Sequence, residues 1–341
     1  MLSVKLAMRN ILRNRRRSIL TIISMGSGYL LLSFMLGLSE GSYNNMIDLF
    51  TQDHTGHVQI HHSNYLERPS LYKTINNTDT IIKQLQENKR VTGVAPRIYG
   101  PSLAYGKNKT FPANVIGIEP QLEASTTHLK QKVNEGEYLT NGMTPNGYFP
   151  AMIGRALAKN LHLSVGDELV LISQGIDGSI ANDIFEVTAI VGTSDSYERM
   201  NVYLSLNATR QFLAMGNQVH ELAISLTSQH EARKFAQDLQ NNYQQSANAN
   251  NQALTAKPWQ VVEKSFYNSM EADKQGNYLS MGIIIFIVSI GVLNTILMGI
   301  LERTREFGVL KAIGTRPAAV FKLIMLESSA LAIASCVFGL I

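Results

Sequence analysis

The chain has 341 residues, of which 45% are hydrophobic and 16% charged, and its formal net charge is +4. That length is enough for two domains. A single cysteine, Cys336, excludes an internal disulfide framework, so any globular domain in the chain depends on its own core.

Basic residues dominate the first 18 residues. Lys5, Arg9 and Arg13 lie on one face of a helical pattern, and apolar residues lie on another. This predicts a basic amphipathic helix over residues 1–18, attracted to anionic lipids at the inner membrane surface. Nucleic-acid binding would be another interpretation of the charge. Positive charge flanking a membrane span explains it better, so we expect no nucleic-acid partner.

Residues 19–39 carry no charge. Because a helix needs about 20 apolar residues to cross the hydrocarbon core, this run predicts a first transmembrane helix. A cleaved signal peptide fits less well. The run is longer than the ~7–15 apolar residues of a signal, and no A-x-A-like site follows it.

Residues 40–277 have a mixed polar and apolar character. Strand-like pieces such as HVQIHH alternate with helical pieces such as TDTIIKQLQENK. The region therefore predicts a large α+β domain. Strand-like pieces are denser between about 107 and 218, which predicts a β-rich insertion there.

Residues 278–301 predict a second transmembrane helix. Asn294 lies near its middle and needs a hydrogen-bond partner from another helix or a polar cavity. Gly291, Thr295 and Gly299 recur every four residues, a spacing that lets helices pack closely in lipid. Small residues are also common in membrane helices without such a role.

The next segment, residues 302–316, is charged in its first turns and carries an apolar face. It predicts a short helix at the inner membrane surface, ended by a glycine and suited to docking into a groove on a cytoplasmic partner. An ordinary interfacial helix between two spans is the alternative. The residues expected to contribute are Glu302, Arg303, Arg305, Glu306, Phe307, Gly308, Leu310, Lys311, Ile313 and Gly314, with the apolar face formed by Phe307, Leu310 and Ile313.

Residues 320–341 are mostly apolar and predict a third transmembrane helix that is incomplete at the chain end. Glu327 lies within this run. An acid inside a membrane span is a candidate functional residue. Its alternative position is at the membrane interface, five residues after Lys322.

Charge placement predicts the orientation. Six basic residues and no acid precede residue 19, and five basic residues and two acids lie between 302 and 322. Basic flanks stay in the cytoplasm. We therefore expect a multi-pass protein of the bacterial inner membrane, with a cytoplasmic N-terminus and a periplasmic domain at 40–277.

No motif for bond chemistry is present. The sequence has no G-x-x-x-x-G-K-[ST] and no H-E-x-x-H, so we expect no catalytic residue and no cofactor on this chain. The one candidate metal cluster is Asp53, His54, His57, His61 and His62. His57 and His61 would share a strand face as two zinc ligands do, but a polar strand face near the membrane is the interpretation we favour.

Three stretches resemble a known family. They are LAMRNILRNRRRSILTIIS, IGRALAKNLHLSVGDELVLIS and NTILMGILERTREFGVLKAIGTRPAAVFKLIMLES. They are similar to ABC-transporter permeases of the macrolide-exporter and lipoprotein-releasing type, and TGHVQIHHSNYLE is most similar to the lipoprotein-releasing branch.

The resemblance implies four spans, a large periplasmic domain between the first two, a homodimer or heterodimer of permeases, and a separate ATPase that binds ATP and Mg²⁺. The 302–316 segment would be the coupling helix that contacts this ATPase. This chain departs from the pattern because it stops within the third span.

Together these features predict a non-catalytic permease subunit. It would transmit ATPase-driven motion to the periplasmic domain, which extracts or exports a lipoprotein or another amphiphile. One alternative is a regulatory permease of the cell-division type that controls cell-wall hydrolases. The other is a membrane-anchored metalloenzyme that uses the histidine cluster.

Overall fold

The computed structural model describes Arg9, Arg13, residues 15–250 and residues 253–340. Most of the amphipathic helix predicted over residues 1–18 lies outside these residues. The chain divides into two compact units. A helical unit combines Met1–Asn44 with Asn268–Ile341, and an α+β unit comprises Asn45–Tyr267.

Helices and strands alternate through the described part of the chain. The helices are α1 (Arg15–Phe50), α2 (Thr78–Gln86), α3 (Pro120–Thr126), α4 (Arg155–Leu161), α5 (Leu206–Phe212), α6 (Ala232–Asn250), α7 (Trp259–Val262), α8 (Lys264–Glu302), α9 (Thr304–Ala312) and α10 (Pro317–Leu340). The strands are β1 (Val58–His62), β2 (Val91–Gly106), β3 (Lys109–Ile118), β4 (Val133–Gly136), β5 (Phe149–Gly154), β6 (Glu168–Gln174), β7 (Ile180–Val191), β8 (Asn201–Ser205), β9 (Glu221–Leu226) and β10 (Leu254–Pro258).

Helices α1, α8 and α10 each contain the apolar stretch needed to cross a membrane, judged by length and composition. The helices α1 and α8 are longer than the apolar runs at 19–39 and 278–301. Hydrophobicity predicts only the segment of a helix that lies in lipid. The helix itself continues until its backbone leaves helical geometry, as α8 does at Arg303.

Glycines set close contacts inside the helical unit. A Cβ on Gly26 of α1 would lie 2.9 Å from the carbonyl oxygen of Ser335 in α10, and a Cβ on Gly339 would lie 2.8 Å from the carbonyl oxygen of Gly26. Helices α1 and α10 therefore meet backbone to backbone, as small residues allow in membrane helices. The spacing argument made for Gly291 did not find this pair.

The α+β unit contains a ten-stranded mixed sheet within the described residues. Nine strands follow the order β10-β1-β9-β2-β3-β8-β5-β7-β4, and β6 pairs with β2 and β7. Six of the ten strands lie in the strand-rich stretch 107–218, and β3 and β6 of that stretch pair with β2 outside it.

Strand β1 is covered on both faces. Val58 and Ile60 are fully buried, and so are their polar neighbours Gln59 and His61. The strand pairs with β10 on one side and β9 on the other. A strand enclosed on both sides and both faces leaves no room for an exposed polar face.

Candidate functional site

A break in the backbone separates α8 from the short helix α9. Arg303 adopts φ −102° and ψ 13°, outside helical values, and its N–H donates to the carbonyl of Ile300 over 3.2 Å. At the other end Gly314 has φ +93°, and the N–H of Thr315 donates to the carbonyl of Leu310 over 3.0 Å. A glycine with positive φ is a common helix terminator, and Pro317 then opens α10.

Arg303 holds α9 to its neighbours through charge. Its Nη1 lies 2.8 Å from both carboxylate oxygens of Glu327 in α10, and its Nε lies 2.9 Å from Oε2 of Glu306 in α9. Glu306 also accepts from Nη2 of Arg13 over 2.6 Å. The hydrogen bond from Arg303 lowers the pKa of Glu306, so this carboxyl is charged at neutral pH.

A small cavity of about 60 Å³, lined by both polar and apolar residues, lies beside this ion pair and is large enough for a few water molecules. Helices α1, α8, α9 and α10 each contribute to its walls. The lining residues are Ser18, Thr21, Thr295, Ile296, Gly299, Ile300, Arg303, Phe307, Ile324, Glu327, Ser328 and Leu331. Glu327, which the sequence left between a functional and an interfacial position, is therefore an ion-paired residue of this cavity.

The apolar face predicted for the 302–316 segment is split in the structure. Phe307 and Leu310 are half-buried, and Phe307 lines the small cavity with the guanidinium of Arg303 5.3 Å from its ring. Val309 and Ile313 are 59% and 77% exposed. Because α10 already covers part of the predicted face, the accessible apolar surface of α9 is centred on Val309 and Ile313, which we call the α9 ridge.

Charged and small residues surround the α9 ridge. Glu302, Arg305, Gly308 and Lys311 are all exposed. An apolar centre within a polar rim is the common composition of a protein-binding surface.

The other predicted membrane residues occupy different environments. Asn294 is exposed and has no hydrogen-bond partner within the described residues, so the helical unit does not itself supply the partner that lipid requires. Gly299 is buried against the cavity, whereas a Cβ on Gly291 would meet nothing within 4 Å. The hydroxyl of Thr295 bonds back to the carbonyl of Gly291 over 2.9 Å. The three small residues therefore do not form one packed stripe within the chain.

A second concentration of charge is buried in the α+β unit, where sequence reasoning did not place one. The Nε and Nη2 of Arg97 in β2 donate to the two carboxylate oxygens of Glu123 in α3, over 3.0 and 2.6 Å. Its Nη1 donates to Glu221 in β9 over 3.0 Å and to the carbonyl of His54 over 2.7 Å. We call Arg97, Glu123, Glu221 and His61 the Arg97 cluster.

His61 completes the Arg97 cluster, with its Nε2 3.2 Å from Oε2 of Glu221. Burial alone would raise the pKa of Glu221, but the hydrogen bond from His61 and the charge of Arg97 lower it to about 2. All four residues are less than 5% exposed. Arg97 and Glu221 are 124 residues apart, so no local motif reveals the pairing.

The histidines at 54–62 do not converge on a common point. His57 accepts from the N–H of Leu226 over 2.9 Å, and burial lowers its pKa. The ring of His54 lies against that of Tyr197, with a centroid distance of 3.4 Å and an angle of 36° between the ring planes. Within the described residues no group of three or more His, Cys, Asp or Glu side chains could hold a metal ion. The polar-strand-face interpretation is also wrong, since His57 and His61 are buried by the sheet.

Two family models match the chain. One, described as the MacB-like periplasmic core domain, matches residues 18–242. The other, described as the FtsX-like permease C-terminal, matches residues 278–341. The first alone covers more than half of the chain.

The chain belongs to the family of MacB- and FtsX-like ABC-transporter permeases. The permease is therefore a non-catalytic transporter subunit, with a MacB-like periplasmic domain and apolar helices suited to the inner membrane.

Relatives agree with this assignment at modest identity. The lipoprotein-releasing system transmembrane protein LolE of Haemophilus influenzae is 21% identical over 289 residues, covering 83% of the permease and 67% of LolE. LolC of Neisseria meningitidis serogroup B is 21% identical over 266 residues, covering 75% of the permease and 62% of LolC. The alignments thus span about two thirds of the length of these relatives.

The periplasmic region of MacB from Actinobacillus actinomycetemcomitans is a solved structure similar to part of the permease. It is 14% identical, with a TM-score of 0.44, and the match covers 63% of the permease and 94% of that region.

Proposed function

We propose that the permease works with a separate cytoplasmic ATPase, to which it docks through the α9 ridge. ATP and Mg²⁺ bind to that ATPase, and its movement displaces α9. The apolar helices pass the movement to the periplasmic domain, which extracts or exports a lipoprotein or another amphiphile. A second permease subunit, identical or different, completes the transporter.

The exposed α9 ridge carries this proposal. A nine-residue helix lies between two apolar helices, and its Glu306 pairs with Arg303, which in turn pairs with Glu327 of α10, yet Val309 and Ile313 remain uncovered. Burying such side chains is worth about 1.5–3 kcal/mol each, and a few buried anchors commonly dominate an interface. The family assignment supports the choice of an ATPase as the partner.

The substrate class is supported by the relatives. LolE and LolC are named for a lipoprotein-releasing system, and both alignments cover most of the permease. The MacB-like match over residues 18–242 favours an exporter over a cell-division regulator.

The test is co-purification of the ATPase with the full-length permease after Val309→Ala combined with Ile313→Ala. Removing both anchors should weaken binding about 100-fold, at roughly 1.4 kcal/mol for each tenfold loss, while membrane insertion is retained because the apolar helices are unchanged. Binding is measured by titrating purified ATPase onto permease in nanodiscs with MgATP present.

Two further variants make this test specific. Ile180→Ala removes a side chain that is 83% exposed but lies in the periplasmic domain, so it should leave binding unchanged. Phe307→Ala combined with Leu310→Ala should lower the melting temperature of the permease, because both residues are half-buried within it. Its effect on ATPase affinity should be smaller than that of the Val309→Ala/Ile313→Ala variant. Undiminished ATPase binding by the Val309→Ala/Ile313→Ala variant contradicts docking through the α9 ridge.

A further inference from the structure

Arg303 joins segments that are otherwise separated by a backbone break. Its N–H bonds to the last turn of α8 through Ile300. Its side chain bonds to Glu327 in α10 and Glu306 in α9. Glu306 in turn pairs with Arg13. The guanidinium of Arg303 is therefore part of a series of ion pairs that runs from Arg13 through Glu306 of α9 to Glu327 of α10.

The Arg303–Glu327 pair is sheltered from water. The two side chains are only 13% and 18% exposed, whereas those of the neighbouring Arg13–Glu306 pair are 57% and 47% exposed. Exposed ion pairs contribute little. Removing one partner of a sheltered pair costs much more, because the other charge is left unpaired.

The connections of α9 to its two neighbours differ in kind. Towards α10, the turn at Gly314 is closed by the Thr315–Leu310 hydrogen bond, and the ion pair to Glu327 holds Arg303, the residue that directly precedes α9. Towards α8, the backbone leaves helical geometry at Arg303. A non-helical residue next to a rigid helix is where a hinge forms.

We infer that the Arg303–Glu327 pair is a latch that makes α9 and α10 move as one body about the hinge at Arg303. The inference depends on the proposed function for what drives the movement. Arg303 is a positioning residue in this role. It acts through its ion pair with Glu327, which makes α10 move together with α9.

The first test needs no ATPase. In the full chain carrying Cys336→Ser, Ser328→Cys places a half-buried thiol in the cavity wall. Arg303→Gln, Glu327→Gln and the double Gln variant should each raise the rate of its modification by a water-soluble maleimide at least about tenfold, which corresponds to ~1.4 kcal/mol. Arg305→Gln, which removes a neighbouring exposed arginine, should leave the rate unchanged.

The second test measures whether the two helices move together. Spin labels at Lys311→Cys in α9 and Lys322→Cys in α10, both exposed positions, report their separation by pulsed electron paramagnetic resonance. In the parent complex with ATPase, the distance distribution should keep its width when MgATP is added. In each Gln variant it should become about twofold wider, because the pair that holds the two helices together has been removed.

The double Gln variant distinguishes a latch from simple bracing. Two glutamines retain a neutral hydrogen bond and leave no unpaired charge, so a purely structural role predicts normal thiol reactivity and normal width. Either result overturns the inference, as does unchanged thiol reactivity in both single variants. If Arg303→Gln does not insert into the membrane, Glu327→Gln breaks the same pair from its other partner and is compared with Arg303→Lys, which keeps the positive charge.

ATPase binding separates this inference from the proposed function. The latch variants should retain ATPase affinity within about twofold, since the α9 ridge is intact. Absence of ATPase binding by the parent permease would contradict the proposed function, while the thiol measurement would still decide on the latch. Loss of binding in the latch variants with unchanged thiol reactivity would assign Arg303 to docking and overturn the latch.

Discussion

Individual residues in this permease carry charge in places where charge is costly. Arg97 is 3% exposed and is matched by two carboxylates and a carbonyl. The hydroxyl of the nearby Tyr99 also donates to Oε1 of Glu221, over 3.1 Å. Each carboxylate is held by more than one donor or by a two-point contact, so the Arg97 cluster ties β1, β2, β9 and α3 together at one point.

Removing the arginine of this cluster should destabilise the periplasmic domain strongly. Arg97→Met leaves Glu123 and Glu221 without their cation, and breaking a buried pair costs about 3–5 kcal/mol. Trp259 is the sole tryptophan of the chain and is buried in the α+β unit, so its fluorescence during urea unfolding of the full-length permease measures the loss.

The matched control for Arg97→Met is Arg199→Met, which removes an exposed arginine of the same unit. It should change the free energy of unfolding by less than about 0.5 kcal/mol. Equal unfolding midpoints for the two variants would show that the Arg97 cluster does not stabilise the domain.

Among the elements, the contact between α1 and α10 depends most on residue size. The two helices approach at Gly26 and Gly339, where a side chain on either glycine would overlap backbone of the other helix. Backbone cannot move aside as the end of a flexible side chain can. The close approach therefore requires glycine at these positions.

Enlarging Gly26 should separate the two helices. Gly26→Leu places new atoms against the carbonyl of Ser335 and the ring of Phe338, and overpacking of this kind costs about 1–3 kcal/mol. We expect a lower melting temperature of the detergent-purified permease. It is measured by size-exclusion chromatography of samples heated to increasing temperatures.

Gly37→Leu is the control for this prediction. It lies in the same helix, and a Cβ there would meet nothing within 4 Å. The same substitution in the same helix should leave the melting temperature within error of the parent. If Gly37→Leu lowers it as much as Gly26→Leu does, the effect belongs to helix or lipid properties and not to the contact with α10.

For the whole molecule, charge asymmetry predicts how the permease is oriented in the membrane. Basic residues are concentrated before residue 19 and between 302 and 322, and basic flanks stay in the cytoplasm. The α9 ridge should then face the cytoplasm and the MacB-like domain the periplasm.

Thiol labelling of whole cells checks this orientation. In a Cys336→Ser background, Met143→Cys replaces a 62% exposed residue of the α+β unit, and Ile313→Cys replaces a 77% exposed residue after α9. A membrane-impermeant maleimide should label the first in intact cells and the second only after lysis. The opposite pattern would remove the basis for ATPase docking at α9.

Sequence alone was enough for features that depend on runs of similar residues. Long uncharged stretches predict apolar helices because lipid contact requires them, and the charged segment with Gly314 predicts a short helix because glycine favours positive φ. Pairings between distant positions were not predictable. Arg303 and Glu327 are 24 residues apart, and Arg97 and Glu221 belong to strands whose register appears only in the folded sheet.

The uneven exposure of the predicted apolar face of α9 has the same origin. Helical periodicity correctly groups Phe307 with Leu310, but it does not indicate whether that face meets a partner or the chain's own α10. The histidines at 57 and 61 were misplaced because alternation predicts a strand but not its position in the sheet. Enclosed by β9 and β10, β1 buries both of its faces.

The pairing of β1 also has a consequence for biogenesis. His61 pairs with Glu221 of β9, 160 residues later, and Val58 pairs with Pro258 of β10. During synthesis β1 is made well before either of its partner strands. Sheets that depend on such distant pairings fold slowly, and unpaired strand edges invite aggregation. We therefore expect a folding intermediate in which β1, the second strand from one edge of the finished sheet, is open on both of its edges until β9 and β10 have been made.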